Sequence, residues 1–345
     1  MHGRRVPLDA LLRAVSAALR SAGVPDADAT VAARVIVEAD ACGRSSHGVA
    51  RLPIYLERLR SGAIRAAAPL DVLHDTGGTF GLDGNDGLGE VALSAALNMA
   101  LDRAGRFGVA MGLVRNINNP GMLAAYGMAA VRADRILIIA CNAAPAMAPH
   151  GARDAWLGTN PLCIAIPRAS GAPVVLDMAT SVAAKGVVRA AAREGRPIPA
   201  GWALDLSGDP TTDPEAALTG TLLPVGGAKG AGLALMIDLI AGVLAGSGAG
   251  PTVRGLHDGR PSRVGALLIA ADPARFMDMS AFGGMVDAYL AEMASLPPAV
   301  GSEAVLVPGE RAWRERERSQ ADGVLIDEAA WARLMGPEVS DARTP

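Results

Sequence analysis

Aromatic residues are nearly missing from this sequence: four Phe, four Trp and three Tyr make up 3% of 345 residues. Proteins that grip single-stranded nucleic acid use ring faces on which bases stack, and this composition denies them that platform. An excess of charge is missing too. With 32 basic and 35 acidic side chains the formal net charge is -3, which offers no electrostatic footprint for a phosphate backbone. Cysteine is scarce, and Cys42, Cys141 and Cys163 are odd in number, far apart and without metal-site pairing. They read as buried thiols of a reducing compartment, so the expected location is cytoplasmic and no metal is expected. No long apolar run occurs. The most apolar stretch, Leu233 to Leu244, is interrupted by Asp238 and is too short to span a bilayer. Near the start, Leu8, Leu11, Leu12, Val15 and Leu19 form an amphipathic stripe and not the unbroken core of a signal peptide. Finally, no G-x-G-x-x-G or Walker pattern appears, which removes support for a Rossmann domain.

What is there is a chain able to bury a sizeable core, with 50% apolar residues and 41 glycines that let helices pack closely on a sheet. Periodicity predicts helices over Val6 to Ala22, Asp26 to Ala41, His47 to Leu59, Val91 to Phe107, Val182 to Arg193, Leu233 to Leu244 and Phe276 to Ala294. Short strands are predicted within Leu70 to Leu82 and over Gly108 to Val114, Ile136 to Ala140, Leu162 to Ile166, Pro173 to Leu176, Val264 to Ala270 and Val305 to Val307. The order of elements divides the chain into a helical N-terminal lobe (1–68), a strand-bearing core (69–250), and a C-terminal strand and helices (251–345).

Chemistry concentrates in Ala39 to Arg58, ADACGRSSHGVARLPIYLER. If a helix begins near His47, then His47, Arg51 and Tyr55 share the face opposite Val49, Leu52, Leu56 and Leu59. A helix N-terminus carries partial positive charge, and Arg51 adds a fork that suits a carboxylate. An imidazole beside that anion seat can exchange a proton with a substrate oxygen. Ser46, or Ser45, can cap the helix or orient the ring. The same turn also suits a purely structural role. Two further stretches stand out. Asn116 to Ala125 is a polar loop after a strand, where ligands sit in mixed α/β proteins. Leu222 to Gly232, LLPVGGAKGAG, places Lys229 among glycines ahead of a helix, which suits a phosphate or simply a close helix–sheet approach.

Taken in order, several segments resemble the malate/L-lactate/sulfolactate dehydrogenase-like family of NAD(P)-dependent oxidoreductases, which includes ureidoglycolate dehydrogenases and cyclic-imine carboxylate reductases. They are Ser46-His47-Gly48 with Arg51 and Tyr55, Leu157 to Leu162, Asp177 to Ser181, Ile198-Pro199 with Gly201-Trp202-Ala203, Pro210 to Pro214, Leu222 to Gly232, and Pro308-Gly309-Glu310. The resemblance implies a non-Rossmann α/β fold, a mixed and largely antiparallel sheet with helical lobes, usually in a homodimer. It implies NAD or NADP as cofactor and a malate-, lactate- or sulfolactate-type substrate, with a cyclic-imine carboxylate as the alternative. No nucleic acid or membrane partner follows from it. His47 would move the proton, Arg51 would hold the carboxylate, and Ser46, Tyr55 and Asn119 would complete the catalytic set. Asn160 would orient the substrate or the cofactor amide. Asp177, Met178, Ala179, Thr180 and Ser181 would lie along the cofactor, Lys229 would meet its phosphate or ribose region, and Gly309, Glu310 and Arg311 would contribute to its binding from the C-terminal turn. Asn119 stands where many members carry a histidine. An amide cannot take up and return a proton near neutral pH, so either His47 carries the proton alone or the chain is a cofactor-binding, non-catalytic relative.

Overall fold

The computed structural model describes residues 3–335. In chain order its strands are β1 (Gly3–Val6), β2 (Asp71–Asp75), β3 (Thr79–Asp83), β4 (Val109–Ile117), β5 (Ile136–Cys141), β6 (Leu162–Ile166), β7 (Val174–Met178), β8 (Ala203–Leu204), β9 (Pro210–Thr211), β10 (Thr221–Leu222), β11 (Val264–Ala271) and β12 (Val324–Asp327). The helices are α1 (Leu8–Ser21), α2 (Asp26–Ala41), α3 (Leu52–Ser61), α4 (Gly89–Phe107), α5 (Leu123–Arg132), α6 (Lys185–Arg193), α7 (Pro214–Thr219), α8 (Ala228–Ile237), α9 (Met279–Ala294), α10 (Glu310–Asp322) and α11 (Glu328–Met335).

Seven strands form the main sheet in the order β2-β3-β4-β11-β5-β6-β7. Only β3 and β4 run parallel; every other neighbouring pair is antiparallel. The mixed, largely antiparallel sheet that the family resemblance implies is therefore the one observed. The alternation of buried and half-buried residues along β4 and β11 shows the sheet's two faces, and α4 and α5 cover one of them with Leu93, Ala96, Ala100, Leu123 and Tyr126. Small alanines and Gly127, whose missing Cβ would come within 3.0 Å of Ala165 and Cys163, permit that close approach. A second core joins α1, α2 and α3 through Leu11, Val15, Ile36, Leu52 and Leu59. Both ends of the described chain meet there, because β1 pairs antiparallel with β12 and places Val6 beside Val324.

Several expectations need correction. Val6 belongs to β1, and α1 starts only at Leu8, behind Pro7. The helix expected from His47 begins at Leu52. Gly48 (φ −95°, ψ −146°) interrupts the backbone, and Ser45–His47 and Val49–Arg51 form two short 3₁₀ turns ahead of α3. Pro53 sits in the first turn of α3, where a missing N–H costs nothing. Strand β7 runs on to Met178, so Asp177 and Met178 lie on the sheet and not in the turn after it. No ladder forms at Val305 to Val307; Pro308 O instead accepts a lone hydrogen bond from Val175 N at 3.1 Å. The apolar stretch from Leu233 is two pieces, α8 and a π-helical turn over Asp238–Leu244.

Candidate active site

The turn that carries His47 and Arg51 is built from the end of α2. Gly43 takes a left-handed conformation (φ 70°), and the N–H of Arg44 returns to Ala39 O at 2.7 Å. The chain then folds back across Asp40, whose buried carboxyl accepts the Val49 N–H at 2.6 Å. A Cβ on Gly48 would lie 2.1 Å from Asp40 Cγ, so only glycine passes this point. Burial pushes the Asp40 carboxyl up to about 7, against the pull of the Val49 N–H.

On this anchored turn the Ser46 Oγ lies 3.2 Å from His47 Nδ1, and Arg51 Nη2 lies 3.3 Å from His47 Nε2. Arg51 also donates through Nε to Ser46 O at 2.5 Å. A guanidinium can only donate, so Nε2 is the accepting nitrogen and Nδ1 carries the proton toward Ser46. Burial, with the charges of Arg51 and Arg44, pushes the imidazole down to about 3. His47 is thus neutral at neutral pH, with its basic lone pair already turned to Arg51. The turn brings His47 and Arg51 together as expected, through 3₁₀ geometry and not along a regular helix face.

Tyr55 sits on α3 and is buried, not exposed on a polar face. Its hydroxyl donates to Asn119 Oδ1 at 3.0 Å, and the same oxygen accepts from Gly121 N at 3.0 Å. The Asn119 oxygen is therefore turned inward. The loop holding Asn119 is fixed from beneath by Arg58, which donates to Asn118 Oδ1 at 2.8 Å, Ser262 Oγ at 3.0 Å and the carbonyl of Leu256 at 3.0 Å. Glu90, the second residue of α4, is wholly buried beside this cluster, and neither of its carboxyl oxygens has a hydrogen-bond partner.

A cleft of about 130 Å³ adjoins the turn through Arg44. Asp177 and Leu176 of β7, Met122 and Ala124 at the start of α5, and Gly309 and Trp313 line it. Asp177 accepts the Ala124 N–H at 2.9 Å, and burial raises its carboxyl above the usual range. Gly309, at φ 89°, presses its backbone onto β7, where a Cβ would lie 2.7 Å from Val175 O. Beyond β7, Val225 N donates to Thr180 O and Val182 N to Leu223 O, both at 2.9 Å, so the turn after β7 is sewn to the glycine loop ahead of α8, whose second residue is the exposed Lys229 and not a loop residue as expected.

Other residues of the expected set are committed to the protein itself. Asn160 is fully buried; its Nδ2 donates to Ala234 O at 2.8 Å and its Oδ1 accepts from Ala143 N at 3.0 Å. Thr180 gives its hydroxyl to Thr159 O and Ser181 gives its own to Ala183 O. Glu310 pairs with Arg314 and accepts from Val307 N. Met178 and Ala179 are half-buried beside Asp177, and Arg311 is exposed on α10. Asp40, Glu90, Arg44 and Lys185 were not singled out from the sequence. Lys185 opens α6, and the neighbouring Gly186 approaches the Ser46 side chain, a missing Cβ lying 3.5 Å from Ser46 Cβ. Among the described residues no group of three His, Cys, Asp or Glu is placed to hold a metal ion. No helix there is long and apolar enough to cross a membrane.

An imidazole–guanidinium turn thus stands next to a cleft on a largely antiparallel sheet that is not of the Rossmann type, and comparison with known proteins gives its class. The family model for malate/L-lactate dehydrogenase matches residues 6–335, and the chain belongs to that family. It is 36% identical over 327 residues to the (2R)-3-sulfolactate dehydrogenase (NADP(+)) of Chromohalobacter salexigens, covering 94% of this chain and 95% of the relative. It is 37% identical over 310 residues to the Delta(1)-pyrroline-2-carboxylate/Delta(1)-piperideine-2-carboxylate reductase of Pseudomonas syringae pv. tomato, covering 89% and 88%. The solved structure of sulfolactate dehydrogenase from Methanocaldococcus jannaschii superposes with a TM-score of 0.90 at 36% identity, covering 96% of this chain and 95% of the other.

Proposed function

We propose that this protein is an NAD(P)-dependent oxidoreductase that moves a hydride between nicotinamide and C2 of a small 2-hydroxy or 2-oxo carboxylate. The observation that carries this reading is the contact between His47 Nε2 and Arg51 Nη2, an acid/base and a carboxylate fork held on one turn. The residues along the cleft suit the cofactor. Apolar walls from Met122, Val175 and Trp313 surround the carboxyl of Asp177, a setting for a flat ring bearing polar groups. Asp177, Met178 and Ala179 would hold the nicotinamide side, and the exposed cations Lys229 and Arg311 would meet the phosphates. When bound, the cofactor supplies or accepts the hydride.

The chain's own residues do the rest. A substrate carboxylate takes the Arg51 fork in two-point contact and draws it from the imidazole. Nε2, its lone pair freed, accepts the proton of the C2 hydroxyl; in the reverse direction it returns that proton to the carbonyl oxygen. Ser46 keeps the Nδ1–H tautomer in place. Asn119, its oxygen held by Tyr55 and Gly121, presents its Nδ2 as a fixed donor to the same substrate oxygen. The amide thus serves as a polariser and leaves proton transfer to His47. We further propose a homodimer, because surface helices carry large exposed apolar side chains, Leu244 at 64% and Tyr289 at 71% exposure. Three buried free thiols support a reducing, cytoplasmic setting.

Purified protein mixed with NADH or NADPH and a panel of 2-oxo acids and cyclic-imine carboxylates, followed by nicotinamide absorbance, tests the reading. Turnover of at least one 2-oxo acid is expected. Thermal stabilisation by the nucleotide without turnover of any panel member would identify a non-catalytic relative instead.

A further inference from the structure

Glu90 is a buried acid for which the chemistry above has no use. Its carboxyl is fully enclosed, and neither oxygen is hydrogen-bonded. The start of α4 is pressed against the Asn119 loop: a Cβ on Gly89 would lie 2.3 Å from Asn118 O and 2.8 Å from the Asn119 carbonyl. A Cβ on Gly121 would lie 3.6 Å from Glu90 Oε1. The titratable groups acting on Glu90 come from three elements. Tyr55 faces it from α3, Arg51 from the turn before α3, and Tyr126 from α5. The Tyr126 hydroxyl is already given to Pro120 O at 2.6 Å. Of the two phenols, Tyr55 is the one that gives its hydroxyl to Asn119 Oδ1 and also acts electrostatically on the Glu90 carboxyl.

A phenol has one proton to give. While Glu90 is protonated its O–H can donate to the Tyr55 oxygen, and the Tyr55 O–H then donates to Asn119 Oδ1, as observed. Once Glu90 ionises, its proton leaves to solvent and the carboxylate only accepts. The Tyr55 O–H turns to it, and Asn119 Oδ1 keeps the Gly121 N–H alone.

We propose that Glu90 is a positioning residue: its protonation decides whether the Tyr55 hydroxyl points to Asn119, and so whether the Asn119 amide is held facing the substrate. Burial pushes the Glu90 carboxyl up to about 7, against the opposing pull of its own backbone N–H, Tyr55 and Arg51, which places the reversal near neutral pH. The side chain at 119 cannot titrate, and Glu90 supplies the pH response from behind it. The consequence for turnover rests on the dehydrogenase reading; the hydrogen-bond reversal belongs to the free protein.

The test follows the Glu90 carboxyl carbon and the Asn119 side-chain nitrogen by NMR in ligand-free, selectively labelled protein, from about pH 5 to about pH 9. Both signals are expected to move with one shared midpoint. In Glu90→Gln and in Tyr55→Phe, two shape-preserving variants, the Asn119 response is expected to vanish. An Asn119 signal that stays flat while Glu90 titrates, or that responds unchanged in either variant, overturns the proposal. In turnover, kcat of the wild type is expected to fall by up to about tenfold per pH unit on the alkaline side, with the same midpoint, and Glu90→Gln to lose that limb while KM for the carboxylate is largely retained. An alkaline limb that persists in Glu90→Gln also counts against it. The shared NMR midpoint in a protein that turns over no oxo acid would remove the dehydrogenase reading and leave the reversal standing; an active enzyme with a flat Asn119 signal would do the opposite.

Discussion

At the residue scale, the free protein holds His47 uncharged because burial and two guanidinium groups weigh against the imidazolium. A carboxylate seated on Arg51 offsets one of those guanidinium charges and adds a negative charge within reach of the ring. Binding must then raise the imidazole toward its ordinary value. The sign follows: the bound state takes up a proton between the free and bound pKa values, so affinity for the carboxylate strengthens as pH falls through that window. Histidine NMR with and without a 2-oxo acid is expected to show that upward move, lost in Arg51→Gln; an imidazole indifferent to the ligand would remove Arg51 as the seat. His47 and Arg51 were legible in the sequence because a histidine, a glycine and an arginine crowd into one short polar turn. Asp40 and Glu90 were not. Each occupies a helix position where an acid usually faces water, and only the folding of distant segments over them, Val49 onto one and Tyr55 beside the other, makes them buried acids.

At the element scale the His47–Arg51 turn depends on Gly48 lying across Asp40. The periodicity of Val49, Leu52, Leu56 and Leu59 reads straight through this point as helix, because an apolar pattern records which residues are buried and not where a backbone is interrupted. The interruption comes from Gly48 and from the Asp40 bond to Val49, a contact that periodicity does not register. Gly48→Ala would drive a methyl into the buried carboxyl. The expected cost is about 1–3 kcal/mol in urea unfolding, with a loss of kcat/KM larger than that of stability-matched variants elsewhere. Wild-type activity in Gly48→Ala would show that the turn's geometry does not set the chemistry. The structural use of Asn160 is hidden at this same scale: a polar residue in a Gly-Thr-Asn-Pro loop looks available, and here it pins α8 to the segment after β5.

At the scale of the whole molecule, strand order was the least legible feature. Strand β11 lies more than a hundred residues beyond β4 and β5 in sequence, yet it pairs with both at the centre of the sheet. Nothing local in Val264 to Ala271 specifies its neighbours, and the mixed, largely antiparallel arrangement came from the family resemblance alone. The exposed apolar side chains of the Asp238–Leu244 turn and α9 likewise have meaning only for an assembly. Light scattering is expected to give a dimer, and Val243→Glu with Leu244→Glu a monomer; a wild-type monomer would contradict the homodimer. The central claim, that His47 moves the proton while Arg51 holds the carboxylate, is tested most directly by single-turnover hydride transfer from reduced nicotinamide to a 2-oxo acid in His47→Gln. The account predicts cofactor affinity close to wild type and a transfer step slowed by about 10²- to 10⁴-fold. Transfer at the wild-type rate would contradict it.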